Sequence, residues 1–454
     1  MDPRIAAALH AQPGIADWTL RLERMRGVQL YLVGTDVESV REVSREAYEV
    51  DLFHDHPAPL GGVIDGDLAR GSATIPLSLI DMERLPAILD DAVAMASLVN
   101  NRPWELPEAT ALPDVALVDA RLVHREDAMA AGLEAAEQIR ELAQRELTSG
   151  VRLSGAELFL TYYEHELANS RGIEATATST RILMEVTLLA RGTEDETEYF
   201  RQAEARRLAD LRLSEAIALG AELARDKLRA STPNTGRGPV IIAGEALNQL
   251  MTGQVTGLPG AYLFHAGART AYEHLSRFEL GGSVYGEAEP VGELLTMRAN
   301  ALRPFGVDSY RWDSDGLPGR DLLVIERGVL RARPATQRYA QYLDVPATGR
   351  PGVAEIRPGT ASTGDLRVGD GPVIEVLDFS ASNVEAVSGD FGMEIRVGYS
   401  WGPDGRRPIS GGSVTGNLFD AMANARFSAE TAEYARYAGP SAIRFESLQL
   451  AGED

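Results

Sequence analysis

Apolar and polar residues alternate along residues 27–33, the period-two pattern of a half-buried strand, and residues 37–43 offer a second strand. The glycines and aspartate of residues 61–66 have the spacing of a hairpin turn. Residues 78–85 open a helix that continues through an alanine-rich run to Asn100 and Asn101, and Pro103, Pro107 and Pro113 then mark a linker. Over residues 126–148 the apolar positions Leu133, Ala136, Ile139, Ala143 and Leu147 recur three or four apart between charges, which predicts an amphipathic helix. Residues 158–164 and 173–190 are rich in Leu, Thr, Tyr and Val, with a β-turn at Asn169-Ser170-Arg171-Gly172 between them. A second long helix runs to Arg229, with Ser214 as its cap and Leu213, Ile217, Ala221, Ala224 and Leu228 on one face.

The polar, turn-rich segment 231–238 divides the chain into an α/β N-terminal domain, residues 1–230, and a β-rich C-terminal domain, residues 231–454. The fold class is α+β. Strand-like runs at 239–243, 321–325, 372–377 and 393–399 are separated by glycine-containing turns. Asp404-Gly405 marks a hairpin, and residues 442–450 alternate strictly. No fixed-period repeat is visible.

A length of 454 residues with 44% hydrophobic positions suits two or three domains with real cores and excludes wholesale disorder. With 44 basic against 67 acidic residues the net charge is −23, and no basic stripe reverses it locally, so nucleic acid is not an expected partner. No apolar run reaches the roughly 18 residues of a membrane span, and Met1-Asp2-Pro3-Arg4 does not open a secretory signal. A cytoplasmic protein is expected. The chain has no Cys, which rules out disulfides, thiolate metal sites and a cysteine nucleophile. Lys227, the only lysine, lies in a helical stretch of solvated character, which sets Schiff-base and P-loop chemistry aside.

His165-Glu166 begins like a zincin helix, but the positions where a second histidine belongs hold Asn169 and Ser170. His54-Asp55-His56 is metal-capable, yet alternate residues seldom close a site alone; His265 and His274 read as surface or partly buried groups of a helical segment. Neither G-x-S-x-G nor a strand–helix G-x-G-x-x-G is present. The glycine-rich residues 410–417 read first as a turn between strands, with a backbone anion cradle as the alternative. Asp313, Asp315, Asp365, Asp370, Asp378 and Asp390 stand near turns, where carboxylates usually accept backbone N–H groups; acid–base work by Asp313 and Asp315 stays open.

Several of these stretches, taken in order, resemble the TldD/TldE (TldD/PmbA) peptidase family. They are Leu167-Ala168-Asn169-Ser170-Arg171-Gly172, residues 233–244, Trp312-Asp313-Ser314-Asp315-Gly316-Leu317-Pro318, Ser388-Gly389-Asp390-Phe391, residues 409–417 and the closing strand near 443–450. The resemblance implies a two-domain fold whose pairs assemble around an enclosed cavity. One branch, TldD-like, carries an H-E-x-x-x-H helix and a distant Cys that bind a catalytic metal. The other, TldE- or PmbA-like, commonly lacks them and partners the first in proteolysis of unfolded or precursor peptides. Here residues 244–254 hold no His, and without metal-bound water Glu245 has nothing of suitable acidity to deprotonate.

The chain therefore resembles the metal-free branch: a subunit with no catalytic residue or metal of its own, zinc residing in a TldD-like partner, and an extended peptide as substrate. Hetero- and homodimer both remain open. By motif, the candidate peptide-binding residues are Asn169, Ser170, Asp313, Asp315, Asp390 and Asn417, each with turn-building as its alternative role. Two other functions stand beside this one: a stand-alone amide or peptide hydrolase of specialised metabolism, and a structural homodimer without activity.

Overall fold

The computed structural model describes residues 1–59, 66–193, 195–253 and 256–453; apart from Gly66, the hairpin turn expected at 61–66 lies outside them. Six strands of the N-terminal half form one antiparallel sheet: β1 (Asp17–Val33), β2 (Asp36–Pro57), β3 (Leu68–Leu77), β4 (Val151–Asn169), β5 (Glu174–Arg191) and β6 (Glu196–Ala205). Their order is β3-β2-β1-β4-β5-β6, which leaves β6 as one edge. Helix α1 is Pro3–Ala11 and α2 is Leu85–Ala96; α3 (Arg125–Glu146) and α4 (Leu213–Lys227) cover the sheet's inner strands. The face of α3 that packs is built from Ala128, Ala131, Gly132, Ala135, Ala136, Ile139 and Ala143, while Leu133 and Leu147, expected on it, are exposed. Small residues let the helix backbone approach the sheet: a Cβ on Gly132 would stand 2.7 Å from Leu30 Cδ1. Ser214 does not cap α4. Arg212, in the left-handed region at φ 46°, precedes the helix without a side-chain cap, and Ser214 falls inside the first turn.

The C-terminal half contributes β7 (Gly236–Ala243), β8 (Met297–Asn300), β9 (Asp321–Glu326), β10 (Val329–Leu330), β11 (Val353–Ile356), β12 (Val373–Val384), β13 (Asp390–Gly402), β14 (Gly405–Ile409), β15 (Ser413–Asn417), β16 (Ala425–Phe427), β17 (Thr431–Tyr434), β18 (Tyr437–Pro440) and β19 (Ala442–Ala451). They make two sheets, ordered β10-β9-β8-β11-β18-β17 and β12-β7-β19-β15-β13-β14, the second also carrying β16 beside β19. Helices α5 (Gly244–Thr252) and α6 (Leu258–Ala266) close the core between them, which is lined by Val240, Ile242, Leu247, Leu250, Tyr262 and Phe379. The strict alternation expected over 442–450 holds only in part: residues 442–445 are all buried because β19 is an inner strand, and its register shifts between Phe445 and Leu448.

The halves are sewn together by polar groups as well as by packing. Val397 and Tyr399 of β13 enter the core of the N-terminal half, and Tyr399 Oη donates to Asp226 Oδ2 at 2.7 Å. The buried Arg206, just past β6, donates to the carbonyls of Thr180, Gly306, Val307 and Ser309. Burial lowers its pKa to about 10. Among the described residues no helix is long and apolar enough to cross a membrane.

Candidate functional site

A cleft of about 670 Å³ opens where the edge strand β6 faces α5. Residues 200–205 of β6 form one wall, Glu245, Asn248, Gln249 and Thr252 of α5 another, and the segment 303–306 with Tyr434 and Arg436 a third. The outer end of β6 is covered differently: Lys227 Nζ donates to Glu198 O at 3.2 Å, so the chain's lone lysine guards part of an edge that is otherwise prone to pairing.

Local sequence explains how the floor is built. After β7, Gly244 adopts φ 58°, a conformation open to glycine, and turns the chain into α5 so that Glu245 falls in its first turn. Tyr434 Oη donates to Gly244 O at 2.7 Å and pins this turn. On the facing strand β12, register shifts around Asp378 form a bulge that buries its carboxylate instead of leaving it at an exposed turn. Gln249 joins the two elements: its Nε2 donates to Asp378 Oδ1 at 2.9 Å and Phe379 O at 3.0 Å, and its Oε1 accepts from Phe379 N at 2.9 Å.

The floor is electrostatically uneven. Burial pushes Glu245 up to about 7 against the pull of Arg201, whose Nε stands 4.0 Å from Glu245 Oε2, and of Asn248 Nδ2, which donates to Glu245 Oε1 at 2.9 Å. Burial likewise raises Asp378 to about 6, although Arg396 Nε lies 3.3 Å from its Oδ2. Arg201 Nε, Arg396 Nε, Asn248 Oδ1 and Asp378 Oδ2 are all buried without a hydrogen-bond partner. Such concentration of unsatisfied polar atoms is uncommon in a protein interior.

Residues 235–452 match the family model of the PmbA/TldA metallopeptidase C-terminal domain. No curated protein matches the chain significantly. Among solved structures, TldE from Thermococcus kodakarensis is similar with a TM-score of 0.76 at 15% identity, over 99% of each chain. A candidate modulator of DNA gyrase from Bacteroides thetaiotaomicron is similar at 0.77 and 16% identity, covering 99% of this chain and 97% of that one. Another, from Thermotoga maritima, is similar at 0.74 and 17% identity over 99% of each. At such identities these structures establish a common fold. The C-terminal half of the chain carries the PmbA/TldA-family metallopeptidase domain.

Helix α5 lies within the matched domain, at the position of a candidate metal-binding helix. An H-E-x-x-x-H pattern in register with Glu245 needs histidines at 244 and 249; the chain has Gly244 and Gln249. A side chain at 244 would carry the strain of a left-handed φ, and Gln249 is already committed to Asp378 and Phe379. Among the described residues no group of three or more His, Asp or Glu is placed to hold a metal ion. The residues present do not fit one. Elsewhere, His54 and His56 stack at 5.5 Å and bond to the carbonyls of Gly14 and Val99, and His165 stacks on Tyr163 at 5.7 Å. His265, expected at the surface or partly buried, is fully buried: Nδ1 accepts from Arg277 N, so neutral Nε2–H donates to Val387 O at 3.0 Å.

The six residues singled out by motif gather at two places, neither of which is the cleft. Asn169 and Ser170 meet the turn of Asp313 and Asp315 at a seam between the halves, where a Cβ on Gly316 would stand 2.7 Å from Ile173 Cδ1. Asn169 Oδ1 accepts from Arg171 N and Ile173 N while Nδ2 donates to Pro107 O at 2.9 Å; Ser170 Oγ donates to Asp17 Oδ1 at 2.7 Å. Asp313 accepts from the backbone N–H groups of Asp315, Leu317 and Arg350, and burial raises it to about 6. Burial also raises the half-buried Asp315. At the second place Asn417 Nδ2 donates to Asp390 Oδ1 at 2.9 Å and to Ser388 O, and Asn417 Oδ1 caps the short helix Leu418–Met422. Of the residues that line or underlie the cleft, Arg201, Gln249 and Arg396 are absent from the candidates by sequence, and Asp378 stands there only as a turn carboxylate. One signal was available: Asp378 stands between Leu377 and Phe379, and Arg396 between Ile395 and Val397, each a charge flanked by apolar residues.

Proposed function

We propose that this chain is a peptide-binding, metal-free subunit of a cytoplasmic metallopeptidase pair, with zinc and catalysis supplied by a TldD-like partner. The observation that carries the reading is the replacement of both imidazole positions around Glu245 by Gly244 and Gln249 in a helix that still fronts a large cleft. The cleft runs along residues 200–205 of the edge strand β6, which offers backbone groups to an extended chain and suits main-chain pairing with little sequence preference. Mixing the purified chain with a TldD-like protein of the same organism tests the pairing. Co-elution and a gain in hydrolysis of an unfolded peptide support it; separate elution with no gain overturns it. Elemental analysis showing near one metal per isolated chain would instead favour a stand-alone hydrolase.

A further inference from the structure

The lining of the cleft departs from the charge of the rest of the molecule. The chain as a whole is strongly acidic, yet seven arginines line the cleft against five acidic side chains. Four of the arginines are neutralised at close range: Arg181 and Arg436 by Glu204, Arg207 by Asp210, and Arg303 by Glu433 and Glu355. The other three are held loosely. Arg201 stands 4.0 Å from Glu245, Arg212 stands 3.9 Å from Glu215, and Arg396 faces Asp378 at 3.3 Å without a hydrogen bond from its Nε. Their fields overlap on shared neighbours, since Asp378 senses both Arg396 and Arg201 and Tyr434 senses both Arg201 and Arg212.

We infer that the cleft selects extended peptides bearing carboxylates, with Arg201 and Arg396 on the floor and Arg212 at the mouth receiving the acidic groups. This rests on the cleft being the peptide site. A guanidinium in a walled cleft loses part of its hydration and gains more from a carboxylate than it would on open surface. Glu245 competes weakly for Arg201 because burial keeps its carboxyl partly protonated near neutral pH. The net charge of the chain argues for a basic peptide; the lining argues for an acidic one, and the two are separable by experiment.

Three labelled, unstructured peptides of equal length, built from Ser with Glu, Gln or Lys, are titrated into the full chain and followed by fluorescence anisotropy. The Glu peptide is expected to bind about tenfold tighter than the Gln peptide, with the Lys peptide weakest. In Arg201→Gln, and separately in the exposed Arg212→Gln, the ratio of Glu-peptide to Gln-peptide affinity is expected to shrink severalfold. Equal affinity for the Glu and Gln peptides, or a preference for Lys, overturns the acidic selectivity alone. Failure of all three to bind overturns it together with the placement of the peptide in this cleft.

Discussion

Two buried carboxyl environments in this molecule share a shifted acidity and differ in everything else. At the seam, Asp313 is raised to about 6 by burial, with Asp315 adding to the shift, yet three backbone N–H groups from its own turn and from Arg350 close around it. At the cleft floor, Glu245 and Asp378 are raised comparably, but Arg201, Arg396, Asn248 and Asp378 are left with buried polar atoms unmatched. The contrast separates two uses of a buried acid. A group whose oxygens are enclosed by backbone N–H donors builds structure; a group in an incompletely matched network beside open volume is available to something outside the chain.

The sharpest way to break that contrast is Asp313→Ala, which strands three N–H groups at once. A loss of about 2–4 kcal/mol in urea unfolding is expected, with peptide affinity of the folded fraction unchanged. An affinity loss at unaltered stability would move Asp313 into the binding machinery.

Glu245→Gln comes next, and its effect has the opposite sign. The folded pKa of about 7 exceeds the ordinary 4.5, so the fold favours the protonated acid. That contribution is complete below about 4.5 and is lost as pH rises through 7. Glutamine cannot ionise, so the variant is expected to match the parent near pH 5 and to exceed it by about 1–3 kcal/mol at pH 8. Parallel stability curves across that range would show that Arg201 keeps Glu245 ionised throughout. The smallest effect expected is that of Asn417→Ala, which removes a helix cap and a bond to Asp390 at a half-exposed site. A drop of about 1 kcal/mol is expected, read as a modest fall in Tm.

Much of the scaffold was legible because its signals are local. Alternation reported the inner strand β1, composition reported β4 and β5, and Asn169 to Gly172 reported the turn between those two. The amphipathic period placed α3 and three residues of its packed face, Ala136, Ile139 and Ala143, but Leu133 and Leu147 face out, and small residues such as Ala128 and Gly132 complete the contact. The edge strand β6 left no comparable mark: it is polar on its exposed side and buried at only a few positions, such as Tyr199 and Ala205. The cleft was invisible for a further reason. Arg201 meets α5, and Gln249 meets β12, only across long stretches of chain, whereas Asp313 and Asn417 each also bond to N–H groups two to four residues on and so advertise themselves as turn motifs.

Arg206 has a consequence for kinetics. By gripping the carbonyls of Gly306, Val307 and Ser309 from the end of β6, it fixes the third wall of the cleft against the edge strand. The slot is thus shaped during folding, and an arriving strand has no loop to order there. Association is expected to proceed in one fast phase, with selectivity expressed in how slowly the right peptide leaves.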